Sequence, residues 1–263
     1  MAAFDATSYW NERLARNPGL CGVGFTSLGR SYNTWLYRVR KTIFRRAIKS
    51  IPLDCRNARV LDVGSGTGFY LDRWRELGVR HLRGSDFSEV AVSHLRQKYP
   101  EIEFSQLDIS DQLLESLQDS QDAISAFDML FHIVDDIRYR KAIQNIHAAL
   151  VEGGWFLLSD LFLHEGTKRS EHMVARSLDE VERTLTSTGF RIVSRRPVFA
   201  LMNQPLDCRN RTYVFLWKVL SRLIRTSDFV GYLAGACLSP LDLYLTRVMN
   251  ESPTTEIMIC QKA

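Results

Sequence analysis

The chain contains no Cys-x-x-Cys pair, and no histidine ladder stands beside any of its five cysteines, Cys21, Cys55, Cys208, Cys237 and Cys260. A zinc site or a disulfide framework is disfavoured, and the pattern fits a reduced cytosol. The N-terminal segment MAAFDATSYWNERLARN lacks an apolar core and does not read as a signal peptide. No uninterrupted apolar run of about 18 residues is present, so the sequence predicts no membrane span. Net charge is only +4, too mild to imply nucleic acid without a focused basic patch. Repeats and low-complexity segments are also missing. What remains is 263 residues, 45% hydrophobic and 24% charged. That is globular composition, with room for one large α/β domain or two small ones.

From Arg59 onward, short β-branched or apolar runs (60–63, 81–84, 102–104, 123–126, 155–159) alternate with stretches of three-to-four spacing (70–77, 89–99, 113–117, 137–150). Gly78, Pro100 and the pair Gly153–Gly154 punctuate three of these helices. Strand and helix at this pace predict βαβ units: a doubly wound, mostly parallel seven-stranded sheet with helices on both faces. Two regions fall outside the alternation. Residues 1–50 read as a helical cap, with Trp35, Val39 and Ile43 on one face and a crowd of basic residues elsewhere. Residues 202–253 read as two apolar helices, 211–225 and 232–249, between strands near 191–201 and 255–261. The expected organisation is a cap over 1–50, a core over 51–201, a helical insertion or lid over 202–253, and the core's last strand over 254–263.

The stretch VLDVGSGTGFY, residues 60–70, places Gly64, Gly66 and Gly68 directly after the first strand. Ligands of open parallel sheets bind beyond the carboxyl ends of the strands. Glycines there let the backbone turn sharply and approach a ligand, with the free N–H groups of the following helix nearby. A dinucleotide fingerprint needs G-x-G-x-x-G. Here the third glycine comes one residue early, and Phe69 stands where that fingerprint wants glycine or alanine.

The resulting D-x-G-x-G-x-G resembles motif I of the class I S-adenosylmethionine (SAM)-dependent methyltransferases. RGSDF, QLDIS, DAISAFDMLFHIVDD and LVEGGWFLLSD follow in the order of that family's later motifs, so the resemblance runs from about Arg59 to Phe199 and includes the final strand. It implies SAM as cofactor, with Asp62, Gly64, Ser65, Gly66 and Gly68 around its methionine end. Asp86 would accept the ribose hydroxyls and Phe87 lie against adenine. Asp108 and Ile109 would frame the adenine edge, and Ala126 and Phe127 floor the site near the sulfur.

An oxygen acceptor needs a base. His132, after the fourth strand, is the candidate; the alternative is a histidine packing the next helix. Asp160, at the end of the fifth strand, is a second candidate or a turn acid. His164 and His172 lie in the loop LHEGTKRSEHMVARS after the fifth strand and could serve the substrate or simply face solvent. No paired carboxylates and histidines fall at metal-ligand spacing. The fourth strand lacks the Pro-Pro-aromatic turn used to grip a flipped base, and no Pro-Cys dipeptide occurs, so a small-molecule acceptor is expected rather than nucleic acid. The apolar payload of 202–253 could pack on the sheet or favour an apolar or membrane-presented acceptor. The stretch YNTWLYRVRKTIFRRAIK could contact acidic lipid or be a solvated face. O-methylation of a small molecule in the cytoplasm is the leading expectation. N- or C-methylation, a nicotinamide oxidoreductase and a non-catalytic SAM-binding regulator are the alternatives, and oligomeric state stays open.

Overall fold

A computed structural model of the chain describes residues 5–17 and 19–263. The first four residues and Pro18, all within the expected cap, lie outside the described residues. The core is a seven-stranded sheet of β1 (Arg59–Val63), β2 (His81–Asp86), β3 (Glu103–Gln106), β4 (Gln121–Phe127), β5 (Leu150–Asp160), β8 (Phe190–Pro197) and β9 (Glu256–Lys262), ordered β3-β2-β1-β4-β5-β9-β8. The pairs from β3 through β5 are parallel, and β9 runs antiparallel to both β5 and β8. A small ribbon of β6 (Lys168–Arg169) and β7 (Val174–Ala175) stands apart.

The strands are apolar on both faces because each face is covered. With a side-chain period of two, Val60, Ala123, Trp155 and Leu157 join one core, while Leu61, Val63, Ile124, Phe156 and Leu158 join the other. The connecting helices are α4 (Phe69–Glu76), α5 (Glu89–Lys98), α6 (Asp136–Ala149) and α7 (Leu178–Ser187). Ser88, Asp135 and Ser177 start three of them by accepting first-turn amides.

Several local expectations are corrected. Residues 113–117 form only a 3-10 turn, Glu115–Leu117, too short to cover the sheet as a helix. Gly153 and Gly154 lie inside β5 rather than in a turn before it, since Leu150 already pairs with Gln121 of β4. The sequence pattern does not predict the β6–β7 ribbon or α7.

The N-terminal region supplies α1 (Ala6–Arg16), α2 (Leu20–Val23) and α3 (Gly29–Lys49). α3 is no solvated helix: Tyr32, Leu36, Val39, Ile43 and Phe44 are all buried in the first core. The insertion supplies α8 (Arg211–Ile224) and α9 (Asp228–Val248). α9 packs along α3, where a Cβ at Gly235 would lie 2.4 Å from the Trp35 ring. The Asp242 carboxylate ties α9 to the end of the sheet by accepting the amides of Ala200 and Leu201 at 2.7 and 2.5 Å. The 21 residues of α9 are also long and apolar enough, by length and composition, to cross a membrane. Asp228, Asp242 and Arg247 interrupt its apolar sequence, so it contains no unbroken apolar run of that length.

Candidate functional site

A cavity of about 320 Å³ opens beyond the carboxyl ends of β1, β2 and β4, a volume in the range of small-molecule sites. Its first wall is the glycine turn. Gly64 and Gly66 have φ of +70° and +52°, the left-handed region that favours glycine. A Cβ on Gly64 would meet the Met129 side chain at 2.9 Å, and one on Gly66 would meet Val23 at 3.0 Å. Met129 and Val23 both line the cavity, so the missing side chains leave it open. Ser65, between them, also lines it and anchors the turn by donating its amide to Ser85 O, 2.9 Å.

Asp86 ends β2 at the cavity. Its Oδ2 accepts the Gly66 amide and its Oδ1 the Ser88 amide, each at 2.9 Å. A carboxylate has about four lone-pair sites, so each oxygen keeps capacity for a ligand hydroxyl. Burial raises its pKa, and the two amides partly offset that. Phe87, Asp108 and Ile109 complete this end. Asp108 accepts Ser110 N and Oγ at 2.9 and 2.6 Å and pairs with Arg138 at 2.8 Å.

The opposite end is aromatic. Phe127 stacks on Tyr70 at 4.3 Å between centroids, and Trp10, Tyr37 and His132 close the space. Asp128, with an unusual φ of +54°, sits there paired to Arg40 of α3. His132 Nδ1 lies 2.8 Å from His172 O, and the Trp10 indole meets its ring edge-on at 4.8 Å. Burial pushes the His132 pKa down to about 4; the His172 carbonyl contact opposes the shift, while the His172 and Arg13 charges add to it.

Four sequence-chosen residues are not on the cavity. Asp62 is buried behind it, its Oδ1 accepting Ser125 Oγ at 2.6 Å while Ser125 accepts Trp74 Nε1 at 2.9 Å. Its own backbone oxygen accepts Ser65 Oγ at 2.9 Å, so it shapes the turn from below. Gly68 (φ +82°) faces α5 instead: a Cβ there would strike the Tyr99 ring at 2.6 Å. Ala126 points into the second core, away from the site, by strand alternation. Asp160 does not open into the cavity either; buried near Arg176, it accepts the Leu161 amide at 2.6 Å.

His164 pairs with Asp207 at 2.5 Å and Glu251 at 3.4 Å, outside the cavity lining. His172 contributes its carbonyl to His132. None of residues 202–253 lines the cavity. The cover is instead α1, through Ala6, Thr7, Trp10 and Leu14, docked by Ser88 Oγ donating to Asn11 Oδ1 at 2.6 Å. The insertion packs against α3 through the small-residue face of α9, so it does not reach over the site. Trp10 and Leu14, one helical turn apart after the Asp5 cap, were the sequence signal for an amphipathic cover.

Residues 60–154 match a protein family described as a methyltransferase domain. Over that span the chain resembles the class I, Rossmann-fold SAM-dependent methyltransferases. It is 25% identical over 127 residues, 48% of this chain and 45% of the other, to a Mycolicibacterium smegmatis protein named "Probable S-adenosylmethionine-dependent methyltransferase". The chain spans less than half the length of the curated relatives it matches. Among solved structures it resembles the N-methyltransferase NodS from Bradyrhizobium japonicum in complex with S-adenosyl-L-homocysteine, with TM-score 0.58, 15% identity and coverage of 97% and 98% of the two chains. It also resembles the cyclase SpnF, with TM-score 0.56, 18% identity and coverage of 84% and 80%. At these identities the likeness is one of fold, and fold alone does not choose the reaction. SAM is the cofactor of this methyltransferase family. The open glycine cradle beside a carboxylate with free lone pairs fits its charged methionine end and its ribose diol.

Proposed function

We propose that this methyltransferase moves the methyl group of SAM to an acidic hydroxyl on an apolar small molecule. The observation that carries the reading is the joining, in one cavity, of the Gly64–Gly66 cradle and Asp86 with an aromatic chamber holding His132. In it, Gly64, Ser65 and Gly66 hold the methionine end, Asp86 the ribose, and Phe87, Asp108 and Ile109 the adenine. When bound, SAM supplies an electrophilic methyl, so the protein mainly has to orient a nucleophile and exclude water. Phe127 and Tyr70 wall the reacting end, and Trp10, Leu14 and Tyr37 exclude solvent. His132 takes the acceptor's proton at Nε2. Asp62, Gly68, Ala126 and Asp160 have no direct part, since none of them lines the cavity.

The apolar lining favours an aromatic or lipid-like acceptor over a nucleic acid. All five cysteines are free thiols, which supports work in a reducing compartment such as the cytoplasm. The test is transfer of labelled methyl from SAM into a metabolite and lipid extract, with mass spectrometry of the product. A labelled aryl or enol ether is the expected product. A labelled amine would replace the hydroxyl reading, and SAM binding with no transfer to any fraction would overturn methyl transfer itself.

A further inference from the structure

Most of the large apolar side chains exposed among the described residues lie on α8 and α9, joined through residues 225–227. Along α9, Phe229, Leu233, Leu241, Tyr244 and Val248 recur at three-to-four spacing or its multiples, one continuous stripe that includes Phe229 at 69% and Tyr244 at 61% exposure. At 1.5 Å per residue the helix is about 30 Å long. Its other face is small and polar: Gly231, Gly235, Ser239, Asp242 and Thr246 are buried. That buried face is held by the Asp242 bonds and by Arg46 Nη1 donating to Leu243 O at 3.3 Å. A helix fixed along the body in this way is placed to lie along a surface rather than to cross a membrane.

α8 adds Phe215, Leu216, Val219 and Leu223, all exposed. Between Arg209 and Arg225 the sequence has five cationic side chains and no acid. Arg209 pairs with Glu165, but no acid among the described residues pairs with Arg211, Lys218, Arg222 or Arg225. Arg211 and Lys218 flank an open groove that also includes Cys208, Val214 and Phe215. On α3, exposed Arg38 stacks over Trp35 at 4.3 Å, and Trp35 in turn meets Tyr232 of α9 at 5.7 Å.

We propose that the α8–α9 hairpin is a monotopic docking surface for an anionic lipid bilayer. Its apolar stripe enters the headgroup–acyl boundary while Arg211, Lys218, Arg222 and Arg225 contact lipid phosphates. Apolar area combined with attraction to anionic lipid is the physical basis of such interfacial helices. The same charges select the bilayer over a second copy of this chain. A two-fold dimer would set this patch against itself and face unpaired cations with cations. The site for acidic lipid thus moves from α3, whose apolar residues fill the core, to the insertion.

The test is sedimentation of the full chain with vesicles of phosphatidylcholine alone or mixed with phosphatidylglycerol. Two double variants, Leu233→Ser with Tyr244→Ser and Lys218→Glu with Arg222→Glu, are run alongside. Melting curves report that each variant is folded, and SAM titration reads the cavity separately, so the docking surface and the methyltransferase reading can fail independently. The expected result is binding to anionic vesicles only, weakened about tenfold or more by either variant and released by high salt. The proposal is overturned if the protein ignores anionic vesicles, binds neutral ones equally, or binds regardless of both variants. Analytical ultracentrifugation showing a dimer that the serine variant dissociates would also overturn it, by making this face an interface between copies.

Discussion

His132 donates its Nδ1 proton to the backbone carbonyl of His172 at 2.8 Å. A carbonyl oxygen can only accept, so this bond fixes the tautomer and leaves Nε2 as the nitrogen with the lone pair. With its pKa pushed down to about 4, chiefly by burial, the ring is neutral throughout the physiological range. It is correspondingly a weak base, better matched to a phenol or enol than to an aliphatic alcohol. The acidic limb of kcat/KM that belongs to His132 should therefore lie near pH 4 rather than near 6.5, leaving the profile governed by the acceptor's own ionisation. His132→Ala should lower turnover by roughly 10²–10⁴-fold with SAM affinity little changed. A histidine limb near 6.5 would overturn the lowered pKa, and a folded variant with full turnover would remove His132 from the role of base.

Asp86→Ala tests the other end of the cavity. It deletes the acceptor for a ribose diol and also frees the amides of Gly66 and Ser88. Charge-assisted hydrogen bonds contribute about 1.5–3 kcal/mol each, so titration calorimetry should show SAM binding weakened by at least about tenfold. Asp86→Asn retains one amide acceptor and should fall between. Equal affinity in all three proteins would remove Asp86 from the site.

Gly66 and Gly68 should separate under substitution. Gly66→Val places a branched side chain at φ +52° beside Val23, so SAM affinity should be lost with a modest fall in melting temperature. Gly68→Ala adds a Cβ at 2.6 Å from the Tyr99 ring, between α4 and α5, so its main effect should be on stability. Calorimetry and thermal unfolding on both variants read the two effects apart. Gly68→Ala with normal stability and no SAM binding would return Gly68 to the cofactor cradle.

The parallel core was legible because periodicity carries it: apolar runs fill β1 and the second halves of β4 and β5, and the helices after β2 and β4 begin at the Ser88 and Asp135 caps. The cofactor end was legible because the backbone itself forms it, and glycine spacing reports backbone conformation. Which side of a strand end faces the ligand was harder to read. Ala126 and Phe127 are neighbours in sequence yet point to opposite faces, and Asp62 and Asp160 turn inward to Ser125 and towards Arg176. Tertiary docking was not encoded locally at all. Two amphipathic regions, 1–50 and 202–253, each offered a cover for the site. The close fit of Gly231 and Gly235 against α3 and the Asp242 bonds hold α9 away from the cavity, while the Ser88–Asn11 bond docks α1 over it.

Asp160 offers a test of the inward-facing carboxylates through stability. Burial, opposed by the Leu161 amide and the Arg176 charge, raises its pKa to about 7. In the unfolded chain an aspartate titrates near 3.9. Between about pH 4 and pH 7 the folded state therefore binds more protons than the unfolded state, and the contribution of this group to stability is lost as pH rises through that window. One proton corresponds to a slope of at most about 1.4 kcal/mol per pH unit. Asp160→Asn keeps an acceptor for the Leu161 amide but cannot ionise, so its urea midpoint should fall less steeply than that of the wild type from pH 5 to pH 7. Half-buried His132 works in the opposite sense, its stabilisation being lost as pH falls from about 6.5 towards 4, so the comparison is made above pH 5 and against His132→Ala as well. Parallel curves for wild type and Asp160→Asn would mean that Asp160 is ionised in the folded protein at pH 5, held by Arg176 more strongly than burial opposes it.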